Sequence, residues 1–173
     1  MKIILQTVRL SLREFCPGDT SFIIQLLNSQ GWLDFIGDRN IRTSEDAANY
    51  LLNGPIRSYQ ENGFGLYLVV KKDTVEPIGM CGLINRESLE GIDIGFALIP
   101  QFTGMGYARE IVIATMQYAC EVLKLPSLLA ITVPHNARSI DLLEKTGFRF
   151  EKKINSPDTG EELLLFNHTF SGH

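Results

Sequence analysis

Apolar and polar residues alternate along several short segments of the chain. In residues 7–15, Val8, Leu10 and Leu12 share one side and polar residues share the other. This period of two is typical of a strand with one buried face. Six further segments have the composition and flanking residues of strands: 64–71, 77–85, 91–99, 128–133, 148–154 and 163–170. The pattern therefore predicts about seven strands.

A period of 3.6 residues indicates the helices, and it is clearest over residues 105–123, where the apolar side chains form one continuous face. A shorter helix is predicted between Asn136, which is a favourable N-cap, and Gly147, which is a natural residue to end a helix. These two segments are the candidates for helices in the C-terminal half.

Two further helices are predicted in the N-terminal half. The first is capped by Asp19 or Thr20, and the second by Thr43 or Ser44. Residues 31–38, between the two helices, read as a loop. The second helix could run on past Gly54 and Pro55 toward Tyr59. Pro55 argues against one continuous helix, because proline removes a backbone donor and clashes with the preceding turn.

The order of these elements predicts a single mixed sheet. A strand, a helix and a strand between residues 91 and 133 form a crossover, so strands 91–99 and 128–133 should be parallel. The short polar connections elsewhere predict antiparallel hairpins. The fold class is therefore α/β (or α+β), with about seven strands and about four helices. No repeat or linker divides the chain, so residues 1–173 should form one domain.

The composition excludes several classes of function. Hydrophobic residues make up 45% of the chain and charged residues 21%, as in ordinary globular domains. A net charge of −4 gives no electrostatic basis for binding nucleic acid. Three cysteines without paired spacing and three scattered histidines predict neither disulfides nor a metal site. No apolar run is long enough for a signal peptide or a membrane span, so we expect a cytoplasmic protein.

Two glycines precede the longest predicted helix. Gly104 and Gly106 can adopt positive φ angles and allow a ligand to approach the backbone. The unpaired N–H groups at the start of a helix, together with the helix dipole, favour a diphosphate. Arg109 stands where a dinucleotide-binding motif needs its third glycine, and the lysine of a nucleotide P-loop is absent. A plain strand-to-helix turn is the alternative explanation of the glycines alone.

Several segments in the same order resemble one family. Residues 101–106 resemble the Q/R-x-x-G-x-G/A signature of the GNAT superfamily of N-acetyltransferases. Residues 136–148 are similar to its N-x-x-S-x-x-L-x-E-K-x-G-F block. Residues 7–13 and 78–82 resemble the branch that contains the ribosomal-protein N-terminal (Rim-type) acetyltransferases. The resemblance covers residues 7–170, and it implies a GNAT-like, mostly antiparallel sheet that splays at its parallel pair.

The resemblance implies an acetyl-CoA-dependent enzyme that transfers an acetyl group to a primary amine, such as a protein N-terminal α-amine. It also leaves room for a small-molecule amine or an antibiotic as the acceptor. A non-catalytic acyl-CoA-binding sensor is the alternative from another functional class. No membrane or nucleic-acid partner is implied, and nothing in the sequence points to an oligomeric state.

The resemblance also implies how acetyl-CoA is held. Backbone N–H groups from Phe102 to Tyr107 would bind the pyrophosphate. Leu98 and Ile99 would pair with the pantetheine arm, and Asn136 would lie along it, although its capping role alone could explain that residue. The cofactor-binding set is Leu98, Ile99, Gln101, Phe102, Thr103, Gly104, Met105, Gly106, Tyr107, Ala108 and Asn136.

Two residues are candidates for proton transfer. Asp93 occupies a position where relatives often carry a glutamate, and it would act as a base through water or with a raised pKa. A solvated aspartate at a strand edge is the structural alternative. Many relatives carry a tyrosine acid where this chain has Leu143. Ser139 or water would then protonate the departing thiolate.

The acceptor wall is expected between the first two predicted helices. In relatives this region borders the acceptor site, and here it contains Phe35 and Arg39. Arginine is suited to meet a carboxylate or a backbone carbonyl of the acceptor. Aromatic residues are more often part of the core, so Phe35 also has a purely structural explanation.

Overall fold

A computed structural model describes residues 2–171 of the chain. Its centre is one sheet of eight strands in the spatial order β1-β2-β3-β4-β5-β6-β8-β7. The strands are β1 (Ile3–Gln6), β2 (Leu10–Arg13), β3 (Leu66–Lys71), β4 (Pro77–Ile84), β5 (Asp93–Leu98), β6 (Ser127–Thr132), β7 (Arg149–Asn155) and β8 (Glu162–Thr169). All seven predicted strands are present, and the eighth is β1 at the N-terminal end. The first predicted strand is shorter than expected, since Val8 lies in the exposed bend before β2.

Six α-helices lie among the described residues, rather than about four. They are α1 (Thr20–Leu27), α2 (Gln30–Phe35), α3 (Ser44–Leu51), α4 (Arg57–Asn62), α5 (Tyr107–Glu121) and α6 (Ala137–Lys145). The prediction of a loop over residues 31–38 was wrong for the first half of this segment, which forms α2. Trp32 is almost fully buried there, so tertiary packing stabilises a helix too short to be stable alone.

Of the two possibilities at Pro55, the structure contains the continuing helix. Helices α3 and α4 are joined without interruption by a π-helical turn over Leu52–Ile56 that contains Pro55. A π turn inserts an extra residue into the helix. The helical hydrogen bonds can therefore continue around Pro55, which has no N–H and needs room for its ring. Thr43 caps α3 as predicted, accepting a hydrogen bond from the N–H of Asp46.

Two hydrophobic clusters cover the two faces of the sheet. One cluster places α5 and α6 against residues such as Leu12, Tyr67 and Ile94. The other places α1 and α3 against Leu68, Met80 and Ile99. Within β5 only Asp93 and Ile94 are buried, and residues 95–98 are half-buried, so the C-terminal part of this strand is partly accessible.

The sheet opens between its two parallel strands. The predicted parallel pair β5 and β6 is confirmed, but it is in register only at Asp93 and Leu129. The N–H of Leu129 donates to the carbonyl of Ile92 over 2.9 Å. Beyond this point β5 stays paired with β4, and β6 stays paired with β8. The strands therefore diverge toward their C-terminal ends and leave a gap in the middle of the sheet.

Candidate active site

The gap between β5 and β6 exposes backbone groups of β5. Successive peptide groups of a strand point to opposite sides. The N–H of Ile99 donates to the carbonyl of Ile78 over 2.9 Å, which directs it toward β4. The N–H and C=O of one strand residue point to the same side, so those of Leu98 face the gap, and those of Phe96 do so by the same alternation. Of the two strand residues predicted to pair with a pantetheine arm, Leu98 has the suitable direction and Ile99 uses its N–H within the sheet.

A short 3₁₀ turn over Pro100–Phe102 follows β5 directly. The N–H of Phe102 donates to Ile99 over 3.0 Å, and the N–H of Thr103 donates to Pro100 over 3.2 Å. The Thr103 hydroxyl donates to the same Pro100 carbonyl. These two backbone donors are used inside the turn, and the exposed Gln101 lies on its outer surface. The expected set of phosphate-binding N–H groups therefore reduces to those after Thr103.

Both glycines adopt the left-handed conformation that their sequence suggested. The φ angle is 77° at Gly104 and 82° at Gly106. A Cβ atom built on Gly104 would meet no atom within 4 Å, so the outer side of this residue is open space. Glycine is required at Gly104 by backbone conformation rather than by crowding, and a bulky ligand group can approach it.

Helix α5 begins directly behind the glycines. In the first backbone hydrogen bond of the helix, the N–H of Glu110 donates to the carbonyl of Gly106 over 3.1 Å. The N–H groups of Tyr107, Ala108 and Arg109 precede that bond and have no acceptor inside the helix. Together with those of the exposed segment 104–106, they form a series of donors at the positive end of a 15-residue helix. This arrangement can bind a diphosphate.

Asn136 and Ser139 lie on the opposite side of the gap, at the start of α6. The predicted N-cap is confirmed, because the Asn136 side chain accepts a hydrogen bond from the N–H of Ser139 over 3.2 Å. Both residues are half-buried. Leu143 lies one turn further on and is fully buried in the core, so no side-chain acid is available at that position.

Asp93 lies at the closed end of the gap and is only 1% exposed. The Nε atom of Arg86 donates to both carboxylate oxygens, over 3.0 and 3.2 Å. Burial raises the pKa of Asp93 to about 6, although the positive charge of Arg86 opposes the rise. The alternative of a solvated strand-edge aspartate is therefore wrong. Asp93 is a shielded carboxylate that changes protonation state close to neutral pH.

The sequence alone indicated neither Arg86, which contacts Asp93, nor Tyr50, which lies within electrostatic range of Arg86. Arg86 follows β4 and is brought to Asp93 because Ile84 and Asp93 are paired across the β4–β5 connection. Tyr50 projects from α3, and burial raises the pKa of its hydroxyl while the nearby Arg39 and Arg86 oppose the rise. An arginine and an aspartate flanking the ends of a predicted hairpin were the available signal for Arg86. Tyr50 had none, because it differs little from a core tyrosine in sequence.

The two predicted acceptor residues lie at the end of α2 and in the segment that follows it. Phe35 ends α2, and its ring is 5.4 Å from the ring of His135, the neighbour of Asn136. The end of α2 therefore reaches across to the segment that precedes α6. Arg39 is exposed in the irregular segment after α2 and lies near the Tyr50 hydroxyl. The structure thus places Phe35 beside the start of α6 and Arg39 within electrostatic range of Tyr50.

Residues 2–171 contain no group of three or more histidine, cysteine, aspartate or glutamate side chains arranged to hold a metal ion. Within the same range, none of the helices combines the length and the apolar character that crossing a membrane requires.

The chain is similar to several known proteins. Residues 9–149 match the model of a family described as an acetyltransferase (GNAT) domain. The uncharacterized N-acetyltransferase YoaA of Bacillus subtilis (strain 168) is 28% identical over 149 residues, which cover 86% of this chain and 84% of that protein. The matched family region contains the glycine turn, Asp93 and the start of α6.

Two further relatives carry more specific names. The [ribosomal protein uS5]-alanine N-acetyltransferase of Escherichia coli (strain K12) is 29% identical over 101 residues, covering 57% of this chain and 52% of that protein. The structure of a ribosomal L7/L12 alpha-N-protein acetyltransferase in complex with coenzyme A superposes with a TM-score of 0.84. It is 17% identical and covers 99% of this chain and 100% of its own, so this likeness concerns the fold.

Proposed function

The chain belongs to the GNAT acetyltransferase family, and we propose that it transfers an acetyl group directly from acetyl-CoA to the α-amine at the N-terminus of a protein. The observation that carries this proposal is the gap between β5 and β6. It has backbone donors of the glycine turn at its mouth and a shielded carboxylate at its closed end. One face of the gap can therefore hold a thioester while the other receives an amine.

The residues around the gap fit acetyl-CoA, which supplies an activated acetyl group when it is bound. The N–H groups from Gly104 to Arg109 bind the diphosphate at the start of α5. The backbone N–H and C=O of Leu98 pair with amides of the pantetheine arm, and the side chain of Asn136 lies along the arm. A backbone N–H of β5 that faces the gap, such as that of Phe96, polarises the thioester carbonyl.

Asp93 receives the proton that the acceptor amine loses. With a pKa of about 6, its carboxylate is mainly ionised at neutral pH and accepts the proton through a water molecule. Arg86 holds the carboxylate in one orientation. No covalent enzyme intermediate is required, because the amine attacks the thioester directly and the protein supplies mainly positioning.

Ser139 assists the departing thiolate from the other side of the gap. Its hydroxyl, in the first turn of α6, donates a hydrogen bond to the sulfur, and the positive end of the helix stabilises the negative charge. A thiol with a pKa of about 8.5 leaves without a strong acid. The absence of a tyrosine at position 143 is therefore compatible with catalysis.

The chemistry of Asp93 favours an α-amine over a lysine side chain. An α-amine with a pKa near 8 is neutral in roughly 10% of molecules at pH 7, but a lysine with a pKa of 10.4 in only about 0.04%. A base with a pKa of about 6 can complete the deprotonation of the first more readily than that of the second. The uS5-alanine N-acetyltransferase among the relatives adds support for this acceptor class.

The acceptor class is tested with a thiol-release assay in the presence of acetyl-CoA. The panel contains peptides with a free N-terminal alanine or serine, the same peptides with a blocked N-terminus and one internal lysine, and small amines including an aminoglycoside. We expect release only with free N-termini, and mass spectrometry should place the acetyl group on the α-nitrogen.

Each other outcome has a definite meaning. Turnover only with small amines would replace the proposed acceptor with a metabolite or an antibiotic. Binding of CoA without turnover on any amine would favour an acyl-CoA sensor. No binding of CoA would refute the proposal as a whole.

A further inference from the structure

Arg9 connects the N-terminal end of the sheet to the glycine turn. Its Nη1 atom donates to the carbonyl of Met105 over 3.1 Å. Its Nε atom donates to the Glu110 carboxylate over 2.9 Å, and its backbone N–H donates to the same carboxylate over 3.3 Å. The guanidinium carbon lies 4.2 Å from the centre of the Tyr107 ring. Arg9 thus contacts both the glycine turn and the first turn of α5.

The backbone that carries Arg9 is itself well anchored. The N–H of Lys72 donates to the carbonyl of Arg9 over 2.9 Å, which ties this bend to the end of β3. On either side of Arg9, the N–H of Thr7 donates to the carbonyl of Leu10 over 2.8 Å, and the N–H of Leu10 donates to the Thr7 hydroxyl oxygen over 2.9 Å. Arg9 therefore connects the turn to the sheet rather than to a loose loop.

The turn has few constraints of its own. Gly104 and Gly106 have more conformational freedom than any other residue type, and Met105 between them is 53% exposed, so it has little packing. A flexible turn would have to be ordered each time a diphosphate bound, at a cost in affinity. An external contact that holds the turn in one conformation removes part of that cost.

The bond to Met105 has a direct geometric consequence. The carbonyl of Met105 and the N–H of Gly106 belong to the same trans peptide group, so they point in opposite directions. Because Arg9 draws the carbonyl toward the sheet, the N–H of Gly106 is turned outward, to the side where a ligand can approach. The Arg9 side chain is partnered by Glu110, so the pair adds little net charge.

We propose that Arg9 is a positioning residue, which orients the backbone donors of the glycine turn for the diphosphate of acetyl-CoA without contacting the acetyl group. This inference rests on the proposed function. It predicts a specific defect in binding ligands that contain a diphosphate. The proton transfer at Asp93 and the recognition of the acceptor amine should not change.

The test compares Arg9→Met with the wild-type full-length chain. We expect CoA to bind about tenfold more weakly by calorimetry, as is typical for the loss of a hydrogen bond from a charged group. The KM for acetyl-CoA should rise by a similar factor, while kcat stays unchanged. With S-acetylpantetheine, which contains no diphosphate, kcat/KM should be the same for both proteins. The difference in CoA affinity should persist at high salt, where direct attraction of the phosphates to Arg9 would be screened.

Arg13→Met is the matched control. Arg13 lies on the adjoining strand and forms an ion pair of 2.9 Å with Asp19, but it has no contact with the turn. Arg9→Lys keeps the charge but replaces the planar group that reaches Met105, Glu110 and Tyr107 together, so we expect an intermediate CoA affinity.

Three results would overturn the inference. They are an unchanged CoA affinity in both Arg9 variants, an equal loss with S-acetylpantetheine, or an equal loss in Arg13→Met. If the wild-type chain itself binds no CoA, the proposed function falls, and this inference falls with it. If Arg9→Met does not fold, Arg9→Lys still decides the matter, with backbone ¹⁵N relaxation at Gly104 and Gly106 as the second measurement.

Discussion

Asp93 illustrates how burial and a charged partner act in opposite directions on one carboxyl group. Burial raises its pKa to about 6 from an ordinary value of 3.8, and Arg86 limits the rise. Because the pKa is raised in the folded state, the neutral form is the one that favours folding. The contribution of Asp93 to stability is present below about pH 4 and is lost as the pH rises through about 6. Ionisable groups whose pKa is shifted in this way, at the expense of stability, are common at functional sites.

Replacement of Asp93 by asparagine tests its role as a base. With an N-terminal peptide as acceptor, kcat/KM should fall at pH 7 by about 10²- to 10³-fold, the usual contribution of a general base. The loss should shrink above about pH 9, where an α-amine is already neutral. The measurement is a pH–rate profile of both proteins, and the wild-type profile should contain an ionisation near pH 6.

Thermal unfolding provides the control for this variant. The substitution removes a costly ionised group, so Asp93→Asn should unfold at pH 8 no more easily than the wild type, and an activity loss cannot then be attributed to unfolding. Equal losses of activity across the whole pH range would contradict a role as base.

At the scale of elements, the connection between β5 and α5 depends on two residues with positive φ angles. Gly104 has a φ of 77° and open space where a Cβ would lie. A β-branched side chain there is strained whatever the space around it. It would also cover the surface that the diphosphate must approach.

Gly104→Val should therefore abolish detectable binding of CoA while the fold survives. Gly160→Val is a closely matched control. Gly160 has a φ of 73° and open space around it, but it lies in the turn before β8. The two variants should lose similar stability, of about 1–2 kcal/mol, because the left-handed conformation disfavours any Cβ. Calorimetric titration with CoA and circular dichroism measure the two effects. Unchanged CoA affinity in Gly104→Val would contradict the diphosphate site.

At the scale of the whole molecule, the gap divides the sheet into two parts that are joined by few direct contacts between strands. Strands β1 to β5 form one part, and β6 to β8 form the other, with one registered pair between them. A ligand that contacts Leu98 and the start of α5 on one side and Asn136 on the other would bridge the two parts. Its binding free energy would add to the stability of the folded state.

Saturating CoA should accordingly raise the unfolding temperature. At a concentration about 100 times its Kd, CoA would stabilise the fold by about 2.7 kcal/mol. In a chain of this length each kcal/mol raises Tm by roughly 2–4 °C, so a shift of about 5–11 °C is expected. Differential scanning calorimetry measures the shift, and Gly104→Val should show none. An equal shift in both proteins would place CoA somewhere other than the glycine turn.

Much of the fold follows from local patterns in the sequence. The period of two in Leu10 and Leu12, the long apolar face of α5, and the caps at Thr43 and Asn136 correctly predicted strands, helices and their boundaries. The glycines at 104 and 106 indicated positive φ angles, which the structure contains. These features depend on neighbours in the chain, so a sequence can encode them without knowledge of the rest of the fold.

Other features depend on residues far apart in the chain, and only the tertiary structure determined them. Helix α2 is stabilised by the burial of Trp32, and the pKa of Asp93 is governed by its burial and by Arg86. The contact between Arg9 and Met105 joins residues 96 positions apart. The sequence by itself determined the family and the glycine turn, since both rest on short motifs. The closed end of the gap, with Asp93 and Arg86, was decided by packing, because burial and charge proximity arise only when distant segments meet.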